Sequence, residues 1–187
     1  IDPTRLQRHL VKVAQTSVGF DVVEISRDRA GFYLVASDGR RLSFDQLVFA
    51  GGADLGALNR LLEVTGIVFD ITSGQASHVP TIFDLAGLKA GISYGGYLTP
   101  AKEGYHELGA TFDRNVKNEI LENANHHNKN LLPSQLASLM PDPKTYDARV
   151  SRRASTPDRN PVCGKMADNL YVLGALGARG LTLAPLL

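Results

Sequence analysis

Tyr171-Val172-Leu173-Gly174-Ala175-Leu176-Gly177-Ala178-Arg179-Gly180-Leu181-Thr182 decides the fold, because an apolar β run meets a glycine turn there and then the first residues of a helix. A second segment, Gln46-Leu47-Val48-Phe49-Ala50-Gly51-Gly52, also runs apolar into glycines, as a buried strand of an α/β sheet does. Residues 55–65 follow it as a helix, with Leu58, Leu61 and Leu62 on one face.

Working outward, Asp2-Pro3 supplies an N-cap acceptor and a proline at the first helical position, and predicts a helix to about Gln15. Three β-rich runs follow at 22–26, 31–36 and 41–50, with Ser37-Asp38-Gly39 as a turn, and read as a small antiparallel meander. Runs at 68–72, 74–79, 90–94, 96–99 and 105–111, punctuated by glycine and proline, read as an antiparallel sheet. A polar helix or helix-loop over 117–130 and a short helix from Pro133 to Leu139 lead to strands at 150–154, 161–163 and 170–173. One parallel-type strand beside a long antiparallel section argues for α+β layers shared between two subdomains.

With 43% of its 187 residues hydrophobic, the chain can bury a core. Its longest apolar runs fall far short of the ~20 residues that cross a bilayer. No charged segment leads into an apolar run at the start, so no secretory signal is expected. A first residue of Ile1 rather than methionine suggests a piece of something longer. Cys163, the single cysteine, can form neither an intrachain disulfide nor a thiolate cluster, which fits a reducing compartment and a cytoplasmic location. A net charge of +1 gives no whole-chain argument for nucleic acid. The basic cluster Arg149, Arg152, Arg153, Arg159 and Lys165 reads as a solvated strand edge in preference to an RNA contact.

The segment from Ala50 to Gly56, AGGADLG, places amides after a strand, where they could face a phosphate. It lacks the G-x-G-x-x-G spacing, so a plain strand-to-helix turn is the preferred reading. The turn at Gly177 to Gly180 suits a group that gains negative charge, through free amides and a helix N-terminus, and an ordinary turn explains it equally well. Arg153 offers the planar fork that fixes a substrate carboxylate, against the usual alternative of a salt bridge to Asp147 or Asp158. His106, His126 and His127 have no metal-ligand spacing and read as solvated loop histidines. Cys163 reads as a small core residue.

In order along the chain stand Gly74-Gln75-Ala76-Ser77-His78-Val79-Pro80, Tyr94-Gly95-Gly96-Tyr97-Leu98-Thr99-Pro100-Ala101 and Gly109-Ala110-Thr111-Phe112-Asp113-Arg114. An R-x-x-T-x-D-x-x-P element from Arg153 to Pro161 and Gly177-Ala178-Arg179-Gly180-Leu181 complete the series. Together they resemble the D-amino-acid-oxidase-like flavoenzymes, and within them the C-terminal oxidoreductase half of the bifunctional tRNA 5-methylaminomethyl-2-thiouridine biosynthesis enzymes. The resemblance runs through most of the chain from Val48 onward. It implies an α+β fold: a mixed, largely antiparallel substrate-domain sheet plus remnants of a Rossmann-like FAD-binding domain. The expected division is 1–60 for part of the FAD-binding domain, 61–149 for the substrate domain and 150–187 for a return to the FAD-binding domain.

The implied cofactor is FAD, and the implied substrate is the 5-carboxymethylaminomethyl group on the wobble uridine of tRNA. Hydride would leave the carboxymethyl carbon, and hydrolysis of the imine would release glyoxylate and 5-aminomethyluridine. A fused methyltransferase half, absent from this sequence, would then act with S-adenosylmethionine. Neither a metal nor a membrane is implied. Carried over, Arg153 holds the substrate carboxylate and Arg179 stands beside the flavin. Ala50, Gly51, Gly177, Ala178, Arg179, Gly180, Leu181 and Thr182 become cofactor contacts, the last six near the pyrimidine end that gains charge on reduction. Arg149, Arg152, Arg159, Lys102 and Lys117 become possible tRNA phosphate contacts, with a solvated surface as the simpler role for most.

The family's N-terminal glycine fingerprint is missing and Leu187 stops inside a helix, so this polypeptide alone is expected to bind FAD weakly or not at all and to be inactive. Two other readings stand beside this one. The first is a free oxidase of glycine, sarcosine or a D-amino acid. The second is a non-catalytic module that has lost its cofactor and recognises RNA or a protein.

Overall fold

The computed structural model describes residues 3–62, 67–114 and 119–187. The strands are β1 (Val22–Arg27), β2 (Phe32–Ala36), β3 (Arg41–Phe44), β4 (Leu47–Phe49), β5 (Asp70–Pro80), β6 (Ile92–Ser93), β7 (Tyr97–Leu98), β8 (Tyr105–Gly109), β9 (Asp147–Ser155), β10 (Val162–Ala167) and β11 (Leu170–Gly174). The helices are α1 (Pro3–Leu10), α2 (Gly56–Leu62), α3 (Glu122–Asn130), α4 (Ser134–Ala137) and α5 (Gly180–Leu183). Two compact units result, Ile1–Asp70 with Ala154–Leu187, and Ile71–Arg153. The fold is α+β with largely antiparallel sheets.

In the first unit, the meander β1-β2-β3 is closed by short aspartate turns. Asp28 Oδ1 accepts from the Ala30 and Gly31 amides at 2.7 and 3.2 Å, and Asp38 Oδ1 accepts from the Arg40 amide at 3.0 Å. The run expected as one strand over 41–50 is two strands in two sheets. The break falls at Asp45, whose carboxylate is disfavoured in a strand interior. Leu47 then donates to the Asn169 carbonyl at 2.9 Å, and β4 pairs parallel with β11 in a second sheet of order β10-β11-β4. Phe32 and Leu170, 1% and 3% exposed, form a core with Ile25 against which Leu61 and Leu62 of α2 pack. Each such large apolar side chain contributes about 1.5–3 kcal/mol by burial. The helix expected over 55–65 is described as a 3-10 turn, Gly52–Leu55, followed by α2; Thr65 and the Leu58 side chain lie outside the described residues. The N-terminal helix ends earlier than expected, with a 3-10 turn at Val11–Val13, and Asp2 lies outside the described residues.

The second unit is built on the sheet β6-β7-β8-β5-β9. The two strands expected at 68–72 and 74–79 are one, because Gly74 continues the strand where the Thr111 carbonyl approaches; a β-carbon there would lie 2.6 Å from that oxygen. One face of the sheet is sealed. Val79, Leu98 and Leu108, all 0% exposed, pack with Leu85, Leu132, Met140 and Tyr146. The helix expected over 117–130 is α3, starting at Glu122, and Lys117 lies outside the described residues.

The polar face of α3 turns inward. Asn125 Oδ1 accepts from Gln75 Nε2 at 3.0 Å and from Ser77 Oγ at 2.7 Å, while Asn128 Nδ2 donates to the Gln75 carbonyl and to Ser77 Oγ, both at 3.0 Å. Gln75 also brackets Leu121, donating to its carbonyl at 2.9 Å and accepting from its amide at 2.8 Å. His106, expected in a solvated loop, is 0% exposed on β8. Its Nε2 accepts from the Ile82 amide at 3.4 Å, so Nδ1 carries the proton given to the Thr99 carbonyl at 2.8 Å. Cys163, expected in the core, is exposed on β10, where no neighbouring element among the described residues covers its side of the sheet.

Replacing Gly74 by alanine should cost about 1–3 kcal/mol, since a backbone carbonyl cannot yield to the added methyl. Gly87→Ala, which meets nothing within 4 Å, serves as the control in thermal melts. Equal melting temperatures for the two variants would contradict the close approach. Burial also pushes the Tyr94 and Tyr146 phenols up to about 12, with Tyr97 and Asp142 respectively adding to the rise. The native state therefore holds protons that the unfolded chain gives up above its ordinary phenol value of 10.0. Their stabilising contribution is complete below that value and should be lost as pH rises toward about 12, read as a falling denaturant midpoint.

Candidate active site

Strand periodicity gives the five-stranded sheet of the second unit a second face opposite its sealed one. Registers place Tyr97 across from Gly109, Gly109 across from Ala76, and Glu107 across from His78. Arg149, Ser151 and Arg153 alternate along β9 toward this same face, as the contact of Arg149 with Glu107 establishes. Glycine and alanine lie at the middle of the face and longer side chains surround them. The Tyr97 ring covers Gly109, where a β-carbon would come within 3.1 Å of the Tyr97 hydroxyl.

The electrostatics of this face are uneven. Glu107 Oε1 lies 3.6 Å from Arg149 Nη2 and 3.8 Å from His78 Nε2, and the His78 ring stacks on Tyr105 at 4.4 Å. Burial pushes the Tyr97 phenol above its ordinary value, Glu107 adds to the rise, and Arg149 and Arg153 oppose it. Tyr97 is thus a neutral donor at ordinary pH. Arg153 is exposed and makes no ion pair among the described residues, while Asp158 accepts from the Asn160 amide and side chain at 3.1 and 2.9 Å. A guanidinium and a neutral phenol on one small-residue surface suit a carboxylate with a short group attached.

The first unit carries a different kind of surface. Because β4 and β11 run parallel, with Val172 beside Phe49, their C-terminal ends emerge at the same edge of the sheet. Each end turns through the same backbone sequence. Gly51 is near φ −72°, ψ 8° and Gly52 has φ 58°; Leu176 is near φ −71°, ψ −8° and Gly177 has φ 57°. A right-handed residue followed by a left-handed one turns successive amides into a concave nest for a negative group. In each, the following 3-10 turn leaves its first amides without an acceptor among the described residues: Gly52 and Ala53 after β4, Gly177 and Ala178 after β11.

The two edges are locked by packing. Leu55, 0% exposed, lies against Gly174, where a β-carbon would come within 2.9 Å of Cδ2 and nearer still to Cδ1.

Of the residues singled out in the sequence, Ala50, Gly51, Gly177, Ala178, Arg179, Gly180, Leu181 and Thr182 belong to this edge and its turns, and Arg153 belongs to the other unit. Arg179 Nη2 donates to the Arg159 carbonyl at 2.9 Å, tying the tail to the β9–β10 loop. Leu181 is 60% exposed and α5 is a single turn, so nest amides rather than a long helix dipole supply the positive character. Sequence reasoning passed over Tyr97, Glu107 and His78 as site residues. The alternation Tyr105-His106-Glu107-Leu108 carried a signal for Glu107, but periodicity alone does not say which face is covered. Among the described residues, no group of three or more His, Cys, Asp or Glu could hold a metal, and no helix is long and apolar enough to cross a membrane.

The family described as FAD dependent oxidoreductase matches residues 1–187. The chain is 34% identical to the tRNA 5-methylaminomethyl-2-thiouridine biosynthesis bifunctional protein of Aeromonas hydrophila, covering 98% of this chain and 33% of that protein. The same-named protein of Idiomarina loihiensis is 32% identical, over 99% of this chain and 31% of its own length. The chain thus spans about a third of the curated relatives it matches. Among solved structures, glycine oxidase from Geobacillus kaustophilus superposes with a TM-score of 0.69 at 21% identity, over 89% of this chain and 45% of that one. Iminodiacetate oxidase from Chelativorans sp. superposes with a TM-score of 0.67 at 17% identity, over 98% and 50%. The fold is therefore one shared with glycine oxidase and iminodiacetate oxidase.

Gly174→Ala should drive Leu55 out of its site and lower stability by about 1–3 kcal/mol. A paired Leu55→Ala change should recover part of that loss, and fully additive effects in denaturant titrations would show that the two positions do not touch.

Proposed function

The chain belongs to the FAD dependent oxidoreductase family, and on that premise we propose that it is part of an enzyme that oxidises a secondary amine next to a carboxylate. The specific reaction proposed is removal of the carboxymethyl group from 5-carboxymethylaminomethyl-(2-thio)uridine at the tRNA wobble position, giving 5-aminomethyluridine for later methylation by a fused S-adenosylmethionine-dependent domain. The names of the relatives from Aeromonas hydrophila and Idiomarina loihiensis support the tRNA assignment. The observation that carries the chemistry is Arg153, exposed and without an ion pair among the described residues, on the sheet face that also carries the neutral Tyr97 phenol.

The first unit fits FAD by the chemistry of its donors: two glycine nests, at Gly51-Gly52 and Leu176-Gly177, offer backbone amides from the C-terminal edge of a parallel strand pair. Ala50, Gly51, Gly177, Ala178, Gly180, Leu181 and Thr182 would hold it there, with Arg179 adding positive charge. Bound FAD would supply a two-electron acceptor for the carbon between amine and carboxylate. The remaining work belongs to this chain's own groups. Arg153 grips the substrate carboxylate through two parallel donors, and Tyr97 donates a third hydrogen bond from its neutral hydroxyl. Fixing the carboxylate fixes the C–H beside it, so orientation carries the catalysis. Loss of hydride from that carbon and of the N–H proton to water turns the C–N bond into an imine, and water then splits it into the primary amine on the uridine and glyoxylate. We assign the unit Ile71–Arg153 to substrate and the unit Ile1–Asp70 with Ala154–Leu187 to cofactor.

The assay is nucleoside mass spectrometry of tRNA bearing the carboxymethyl group, incubated with the full-length protein and FAD. Arg153→Ala should lower formation of 5-aminomethyluridine about 100-fold or more while flavin absorbance is retained, as expected for loss of a charge-assisted carboxylate contact. Undiminished conversion by that variant would remove Arg153 from the site. Peroxide release from free glycine or sarcosine without tRNA would favour a free amino-acid oxidase.

A further inference from the structure

Arg149 and Arg153 lie four residues apart on β9 and reach the same sheet face, yet only one of them is engaged there. Arg149 Nη2 sits 3.6 Å from Glu107 Oε1, whereas Arg153 makes no ion pair among the described residues. Glu107 Oε1 also lies 3.8 Å from His78 Nε2. The His78 ring stacks on Tyr105, with ring centroids 4.4 Å apart and planes 19° apart, and its Nε2 has no hydrogen-bond partner among the described residues. The side chains of Glu107 and His78 are 30% and 20% exposed, and that of Arg149 is 58% exposed.

We infer that Glu107 is a specificity-determining residue: by pairing with Arg149 it leaves Arg153 as the carboxylate anchor, so that the face engages one carboxylate of a ligand at a time. This rests on the reading of Arg153 as anchor given above. A second carboxylate that approaches Arg149, itself 58% exposed, meets the Glu107 charge 3.6 Å from that guanidinium, and like charges repel at such range. An N-carboxymethyl amine brings one carboxylate and meets no such barrier. The Cα atoms of residues four apart on a strand are about 13 Å from each other, a gap that two long arginine side chains shorten. Dicarboxylates of increasing length therefore sample the distance between the guanidinium groups.

The test is an NMR titration of the full chain with acetate, malonate, succinate and glutarate at constant ionic strength, following the arginine Nε–Hε signals. In the unmodified chain the dicarboxylates should bind within about threefold of acetate, moving the Arg153 signal and leaving that of Arg149 in place. In Glu107→Gln at least one dicarboxylate should bind about tenfold tighter or more, with the Arg149 signal now moving, while acetate changes by less than about threefold. Adding Arg149→Met to that variant should restore the original ratio. An unchanged ratio in folded Glu107→Gln, or an equal gain for acetate, overturns the inference. So does an Arg149 signal that already moves in the unmodified chain, a result that does not depend on any variant folding. Acetate binding tests the anchor separately. If it survives Arg153→Ala, the reading of Arg153 is wrong; if it is lost there while the Glu107→Gln ratio stays put, Glu107 alone is misassigned.

Discussion

The hydrogen-bonded cluster of Gln75, Ser77, Asn125 and Asn128 is the constraint on which the second unit depends. Asparagine is a poor helix former, and α3 contains four of them among its nine residues. Two are buried at 4% and 0% exposure, and their amide groups find partners in the cluster apart from Asn128 Oδ1, which has none among the described residues. Ser77 Oγ donates to Asn125 and accepts from Asn128, so the donor directions are consistent through the cluster. Asn125 Nδ2 extends it to the carbonyls of Pro143 and Tyr146, at 3.5 and 3.3 Å. Helix, sheet and the segment leading into β9 are thereby held in one register. A purely apolar contact would allow α3 to slide; directional bonds do not.

Sealing one face of the sheet in this way determines what the other face can be. Alternate residues of β5, β7, β8 and β9 are left for Ala76, His78, Tyr97, Glu107, Gly109, Arg149 and Arg153, a set with little apolar bulk and mixed charge. Their arrangement follows from registers fixed elsewhere. The same logic runs through the first unit. There, parallel pairing of β4 with β11 sets two glycine turns at one edge, and Leu55 against Gly174 keeps them together. Rigid strands thus carry both surfaces, and loops contribute only their first residues.

Some of this was open to reading in the sequence. The two apolar runs entering glycines announced their strands and turns, and Arg153 stood out for its chemistry. Other parts were hidden for identifiable reasons. Gly74 looked like a strand break because a glycine that ends a strand and one that admits a neighbouring carbonyl are the same letter. Asp45 sat inside an apolar run, and only the partner at Asn169 shows that the chain changes sheet there. His106 looked solvated because its acceptor Thr99 and its donor Ile82 come from segments 7 and 24 residues away. Cys163 looked buried because a small residue in a β run usually is, and its exposure depends on what covers that side of the sheet, which the run does not encode.

By itself the sequence determined the local alternatives: which segments extend, where glycine permits a left-handed turn, and that Tyr105 and Glu107 share one side of their strand while His106 and Leu108 share the other. That much follows from backbone sterics and a two-residue period. Only the tertiary structure decided which side would be covered, since the groups that cover it are joined by contacts such as Gln75 with Asn125, 50 residues apart. The same holds for the pairing that sets Ala50 to Gly52 beside Gly174 to Gly177. A strand's faces are written in its own residues, but burial is a property of what packs against it.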